Sequence, residues 1–195
     1  MNNQKTPSKN YRTFALILLT VVYGFNFIDR QILGILAPFI QEDLGLTNTQ
    51  LGLISGPYFV ILYTIVAIPI AWLADRYSRV NIVSIALATW SGFTALTGFA
   101  NNFLQIGLAR MGVGIGEAGG SPPSHSIISD MYPKEERAAA LGVYSMGIPL
   151  GIMAAYFATA MLMGSSGEDV NWRRIFIFLG LTGIALAFFV KLLLR

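Results

Sequence analysis

Four ionisable residues lie inside stretches that otherwise read as hydrocarbon-spanning helix. Asp29 and Arg30 fall within Phe25 to Ile40, and Arg110 and Glu117 within Phe103 to Ile128. A charge at bilayer depth costs at least ~2.5–3.5 kcal/mol on insertion scales, so such groups persist where they pair with one another or line a watery path. Acids and arginines placed this way can exchange protons or hold an anion. Burial favours the protonated acid and a neighbouring arginine favours the ionised one, so a site balanced between the two can load and release a proton. The pattern points to a polar site for substrate or protons inside a helical membrane bundle.

The elements that must position these residues follow from composition. The chain has 195 residues, 54% of them hydrophobic and 12% charged, with mean hydropathy +0.61. A soluble domain carries about 25% charged residues, so this is an integral membrane protein, all-α and polytopic. Its net charge of +3 comes from basic residues near the membrane, and no basic patch is interleaved with aromatics, which argues against nucleic acid as a partner. The absence of cysteine removes disulfides, thiolate metal sites and cysteine nucleophiles. One histidine, His125, argues against a zinc site. No metal, no cofactor and no enzymatic chemistry is expected, because no nucleophile–histidine pair is present.

Crossing ~30 Å of hydrocarbon takes about 20 helical residues. Six segments qualify: 13–40, 49–74, 80–101, 103–128, 138–163 and 173–193. Residues 1–12 form a polar, basic tail, and 13–195 a single six-helix transmembrane domain. The first apolar run is too long for a signal-peptide core, so span 1 is expected to be retained. The connections are short and carry Gln41-Glu42-Asp43, Asp75 to Arg79, Asn101-Asn102, Pro133 to Arg137, and Gly164 to Asn171. Lysine and arginine distribution sets the orientation. Lys5, Lys9, Arg12, Arg76, Arg79, Lys134, Arg137, Lys191 and Arg195 share one side, against Arg173 and Arg174 on the other. Both termini are therefore expected in the cytoplasm, with the chain in an inner or plasma membrane among its lipids.

Ala71-Trp72-Leu73-Ala74-Asp75-Arg76-Tyr77-Ser78-Arg79 joins spans 2 and 3. An acid at a helix end with two nearby arginines can bond neighbouring helix termini and latch one conformation. The plainer reading is a positive-inside anchor with incidental pairing. In span 4, Gly112, Gly116 and Gly120 recur every four residues and give one flat face for close backbone approach. Packing explains these glycines but not the buried carboxylate of Glu117 beside them. Arg110 and Glu117 are two turns apart on one face, about 10 Å in height. Span 5 carries Gly142, Gly147, Pro149 and Gly151, a small-residue stripe with a kink, and Pro122-Pro123 disrupts late span 4. Either is a hinge or a shape requirement for packing. His125 reads as a proton relay or, more plainly, as a hydrogen-bonded structural residue. Tyr58, Tyr63, Tyr144 and Tyr156 read as substrate contacts or as ordinary packing.

Together these strings resemble the N-terminal half of a major facilitator superfamily transporter. Ala71-x3-Asp75-Arg76-x-Ser78-Arg79 is similar to that superfamily's loop motif after span 2, with Ala and Ser where glycines are usual. Arg110-x3-Gly114-x-Gly116-x-Ala118 matches the span 4 motif, and Asp130 to Arg137 resembles the acid and arginine that end spans 4 and 5. Gly147-x-Pro149-x-Gly151 partly matches the span 5 antiporter motif. Within the superfamily the chain most resembles the spinster-like transporters, through Asn26-x2-Asp29-Arg30, Gly114-x-Gly116-Glu117-Ala118 and Ile148-Pro149-Leu150-Gly151.

The resemblance implies one half of a twelve-helix fold, with a second six-helix half as partner and substrate bound between the halves near the midplane. The expected function is secondary active transport by alternating access. Asp29 and Glu117 would be the protonatable groups, and Arg30 and Arg110 their counter-charges and possible headgroup ligands. By resemblance the substrate is a lysophospholipid or sphingoid-type amphiphile. A small organic anion is the alternative, since arginines in a cavity suit a carboxylate or phosphate equally. A non-transporting six-helix scaffold is the reading from another class. At 1.5 Å rise per residue, Asp29 and Glu117 fall within roughly 5–8 Å of the same depth, leaving Arg30 the expected near partner of either acid.

The orientation is testable without a substrate. Cysteines replacing Asp43 and Gly167 should react with an impermeant thiol reagent outside intact cells, and one replacing Lys134 should not. Labelling at position 134 would reverse the topology.

Overall fold

The computed structural model describes residues 8–163 and 171–194, and every regular element among them is helical. Ser8 caps α1 (Lys9–Leu44) by accepting from Tyr11 N at 3.4 Å. Gly45 ends it at φ +60°, a left-handed turn that glycine adopts without a Cβ penalty. Its N–H bonds Glu42 O while that of Leu46 bonds Gln41 O, which satisfies the last carbonyls. The first helix thus starts at Lys9, so residues 9–12 belong to a helix rather than to the expected tail. It also carries Glu42 and Asp43 in its last turn, where a connection was expected. The connection at 164–170, expected on the outer side with Glu168 and Asp169, lies outside the described residues, as do residues 1–7 and 195.

Three of the six spans are each built from two helices. A Thr47–Gln50 capping box opens α2 (Asn48–Ser55), which is followed by α3 (Pro57–Ala74). Span 3 is α4 (Arg79–Thr97), and Asn102 caps α5 (Phe103–Glu117) through Gln105 N at 2.9 Å. Then come α6 (Ser121–Met131), α7 (Lys134–Ser145), α8 (Gly147–Met163) and α9 (Trp172–Leu193). The α5–α6 break is a tight turn in which Gly119 N bonds Gly116 O and Gly120 N bonds Glu117 O. Among the described residues, five segments are long and apolar enough to cross a membrane, and the α5–α6 span is the one that this turn divides.

Proline explains where the breaks fall. Pro57 opens α3 and Pro122 lies at the start of α6, where a missing N–H costs no helical bond. Pro149 likewise sits in the first turn of α8. The kink expected in span 5 is a break at Met146, upstream of the proline. Lys134 to Arg137, expected as a connection, form the first turn of α7, where Glu135 and Glu136 suit the positive end of the helix dipole.

Glycines set how closely the helices approach. The Gly112–Gly116–Gly120 stripe faces α4. A Cβ on Gly116 would lie 2.5 Å from Trp90 N, and one on Gly112 would enter the Phe93 ring. Gly114 faces the other way, where a Cβ would meet Phe59 O of α3 at 2.6 Å. On the other side of the bundle, Gly147 and Gly151 pack on α1, and a Cβ on Gly147 would lie 2.7 Å from Thr20 O and 3.0 Å from Gly24 N. Gly180 and Gly183 of α9 rest on Ser91 and Ala95 of α4. The most extensive contacts are accordingly α4 with α9 and α5, α1 with α8, and α3 with α5. Trp90 of α4 is fully buried.

Gly116→Ala should therefore destabilise the solubilised protein by ~1–3 kcal/mol, the usual range for overpacking. Gly142 has open space around its Cα, so Gly142→Ala should be neutral or stabilising by up to ~1 kcal/mol. Thermal unfolding in detergent compares the two, and equal effects would contradict the packing described.

Candidate functional site

The site begins on one face of α1. Tyr23, Phe27 and Arg30 stand at helical spacing on that face, half-buried. Arg30 reaches across to α5, where its Nε donates to Glu117 Oε2 at 2.8 Å. Glu117 has no exposed side-chain surface, while the Arg30 side chain keeps 34%. The pair is therefore buried from the acid's side and open from the cation's. The guanidinium carbon lies 4.9 Å from the Phe59 ring centre, 5.3 Å from that of Tyr63 and 5.4 Å from that of Phe27. Three ring faces around one cation stabilise its charge where water is scarce.

Asp29 points elsewhere. Adjacent residues on an α-helix are about 100° apart, so Asp29 turns toward α4, facing the Trp90 indole N–H and the Thr94 hydroxyl. It is completely buried, and Arg110 is 2% exposed. Glu117 and Arg110 both act on Asp29 electrostatically, and Arg110 lies 5.8 Å from the Phe59 ring centre. The four charges thus form one cluster across α1 and α5. The ion pair in it is neither of the pairs suggested by sequence proximity: it is Arg30 with Glu117, and Asp29 has no bond to Arg30. Both Asp29 carboxylate oxygens, Glu117 Oε1, and Arg110 Nε and Nη1 are buried without hydrogen-bond partners. Atoms of this kind call for water, a proton or a ligand.

A second set of charges gathers where α3, α6 and α7 end or begin. Arg79 pairs with Asp130, joining α4 to α6. Arg137 Nη2 donates to Ser129 O at 2.6 Å and to Tyr132 O at 3.5 Å, closing the carbonyl end of α6. Arg76 lies over the Trp72 ring at 3.9 Å. Asp75 is exposed and makes no ion pair among the described residues, and neither it nor Arg76 joins the Arg79–Asp130 pair. Sequence reading missed Arg12, which pairs with Glu136 at 3.6 Å and donates to Met131 O at 3.4 Å. At the opposite end Arg173 pairs with Asp43 at 2.7 Å, and Trp172 Nε1 donates to the same carboxylate at 3.2 Å. No sequence signal marked that clasp, because its partners are separated by 130 residues.

The sequence profile described as Major Facilitator Superfamily matches residues 19–195. The chain belongs to that superfamily. Two crystal structures of a bacterial homologue of the human lysosomal transporter spinster, inward-facing and either unoccupied or occupied, superpose on it with TM-score 0.88. They are 38% and 39% identical, and each superposition covers 97% of this chain and 44% or 45% of the other. The likeness to the spinster-like branch rests on these. Among curated relatives, an MFS-type efflux pump of Mycolicibacterium smegmatis is 34% identical over 89% of the chain and 39% of its own length. A probable L-galactonate transporter of Escherichia coli is 32% identical over 94% and 40% respectively. The chain therefore spans about two-fifths of the length of the relatives it matches.

As a superfamily bundle, the chain has two kinds of charged contact, one deep in the bundle and one near its ends. The Arg79–Asp130 pair is exposed on its acid side, at 66%. Exposed pairs are worth ~0.2–1 kcal/mol. Arg79→Ala and Asp130→Ala, singly and together, should show a coupling of that size in detergent unfolding. Strict additivity of the two would mean that the pair does not form.

Proposed function

We propose that these helices form half of a proton-coupled secondary transporter that moves an organic anion by alternating access. The observation that carries this reading is the Arg30–Glu117 pair, sealed on the acid's side and open on the cation's. An anion and the ionised Glu117 compete for the same guanidinium. When Glu117 takes a proton it loses its charge, and Arg30 becomes free for a carboxylate or phosphate. When the anion leaves, Arg30 attracts the ionised carboxylate again and the proton departs. Proton and anion then travel together or in exchange, depending on which side each is released. Arg110 is buried as fully as Glu117 and acts on it electrostatically, so it helps to set how readily Glu117 gives up its charge. In this reading the basic end of the bundle faces the cytoplasm, and Arg79–Asp130 is one of several weak contacts that tie helices together at that end.

Relatives named as transporters of L-galactonate, D-galactonate, galactarate/D-glucarate and sulfoacetate favour a small organic acid as substrate. The resemblance of its motifs to the spinster-like transporters implies a second reading, a lysophospholipid or sphingoid-type amphiphile with an anionic headgroup. Both place the anionic group at Arg30.

Glu117→Gln keeps shape and hydrogen bonding but removes the titration. In proteoliposomes of the assembled transporter it should abolish accumulation driven by a pH gradient while permitting exchange of substrate down its own gradient. Asp29→Asn should weaken accumulation in the same assay. Unchanged gradient-driven uptake in Glu117→Gln would overturn the coupling role.

A further inference from the structure

Away from the charged cluster, a groove of about 180 Å³ opens between α3, α4 and the end of α5. Ile70 and Leu73 of α3 line one side, Ile82, Ile85 and Thr89 of α4 the other, and Gly119 lies between them. A Cβ on Gly119 would stand 2.7 Å from the Ala86 Cβ and 3.6 Å from Ile70 Cδ1, so a larger residue would crowd the groove. Ile85 is 66% exposed, which puts the opening on the surface of the bundle. Thr89 is the one polar residue in the lining. From Ile82 to Thr89 the groove follows α4 for about 10 Å.

Its lower end, at Leu73 and Ile82, meets the basic end of the bundle. Arg76 follows Leu73 by one turn, and its N–H bonds Leu73 O at 3.1 Å. Its guanidinium covers the exposed Trp72 ring and pairs with no carboxylate among the described residues. Beside α4, Lys191 of α9 bonds Asn81 Oδ1, one turn before Ile85, and it too has no carboxylate partner among them. Arg79 is taken up by Asp130. Asp75 is exposed, so two cations stand against one acid at this end and leave it positive. Indole rings settle at the level of lipid headgroups, and basic residues between helices at a membrane surface hold anionic ones. A hydrocarbon chain in the groove supplies the van der Waals contacts that an empty cleft forfeits. A lipid with a neutral head would fill the groove equally but would leave the two cations without a partner.

We propose that this groove binds one acyl chain of an anionic membrane phospholipid, with the phosphate held at its basic end by Arg76 and Lys191. The site is independent of the substrate carried and of the proton coupling at Glu117. Gly116 and Gly119 line it from the turn that ends α5, so the bound chain rests against the break in that span.

The test places the assembled transporter in vesicles of phosphatidylcholine brominated on its acyl chains, which quenches tryptophan on contact. The signal lost in Trp72→Phe isolates Trp72, the neighbour of Leu73 and Arg76. Unbrominated phosphatidylglycerol, added as a minor component, should restore that fluorescence with an apparent affinity about tenfold above that of unbrominated phosphatidylcholine. Arg76→Gln and Lys191→Gln, both at exposed positions, should each cut the preference about fivefold, the effect of one cation near a membrane surface. Thr89→Phe fills the groove with both cations in place and should abolish the preference. Trp72 left unquenched by brominated lipid would mean that the second half covers the groove, and would overturn the site. Equal recovery with the two lipids, or a preference that both cation variants retain, would overturn it as well. A preference lost with the cations but kept in Thr89→Phe would overturn the groove as the seat of the chain and leave surface attraction alone.

Discussion

Everything in this bundle answers to one constraint: hydrocarbon offers no water to a charge. Arg30 and Glu117 meet that constraint by facing each other across two helices at 2.8 Å. The aromatic rings of Phe27, Phe59 and Tyr63 surround the cation on its open side. Removing one partner of a buried pair leaves an uncompensated charge, which is far more damaging than losing the pair as a whole. The same property makes the pair useful, since a proton on the acid or an anion on the cation can replace the missing contact.

Small residues make that geometry possible. The α5 helix approaches α4 closely because Gly112 and Gly116 carry no Cβ toward Phe93 and Trp90. It approaches α3 closely because Gly114 does the same toward Phe59. Between lipid tails, helix association depends on such van der Waals contact rather than on a hydrophobic drive. Phe59 also sits against the guanidinium groups of Arg30 and Arg110. Gly114 therefore lets α3 bring Phe59 close to the charges that its ring screens.

The ends of the bundle follow a different logic. Arg79–Asp130, Arg12–Glu136 and Arg173–Asp43 all have substantial exposure on at least one partner. Water screens them, and each is weak alone. Under the transport reading proposed above, weak contacts at the ends and a buried pair in the middle would suit a body that opens at either end without coming apart. The breaks at Ser55–Pro57, Ala118–Gly120 and Met146 fall on three different spans, each followed by a proline in the next first turn. They supply places where a span can bend without losing bonds that it had already lost.

The sequence by itself determined the six apolar runs, the presence of four charges at depth, the glycine stripe on one face and the superfamily motifs. Those features are local: hydropathy over about 20 residues, a period of 3.6, and the identities within a short string. Arg30 as the near partner of Glu117 was also legible, because depth can be counted along each helix. Only tertiary structure decided that Asp29 turns away from Arg30 toward Trp90 and Thr94, since side-chain direction depends on how each helix is rotated against its neighbours. It likewise decided that Arg79 alone of its loop cluster reaches Asp130, that Arg12 reaches Glu136, and that Arg173 reaches Asp43 across 130 residues. Those pairings follow from helix order and rotation in the bundle, which no local window of residues contains.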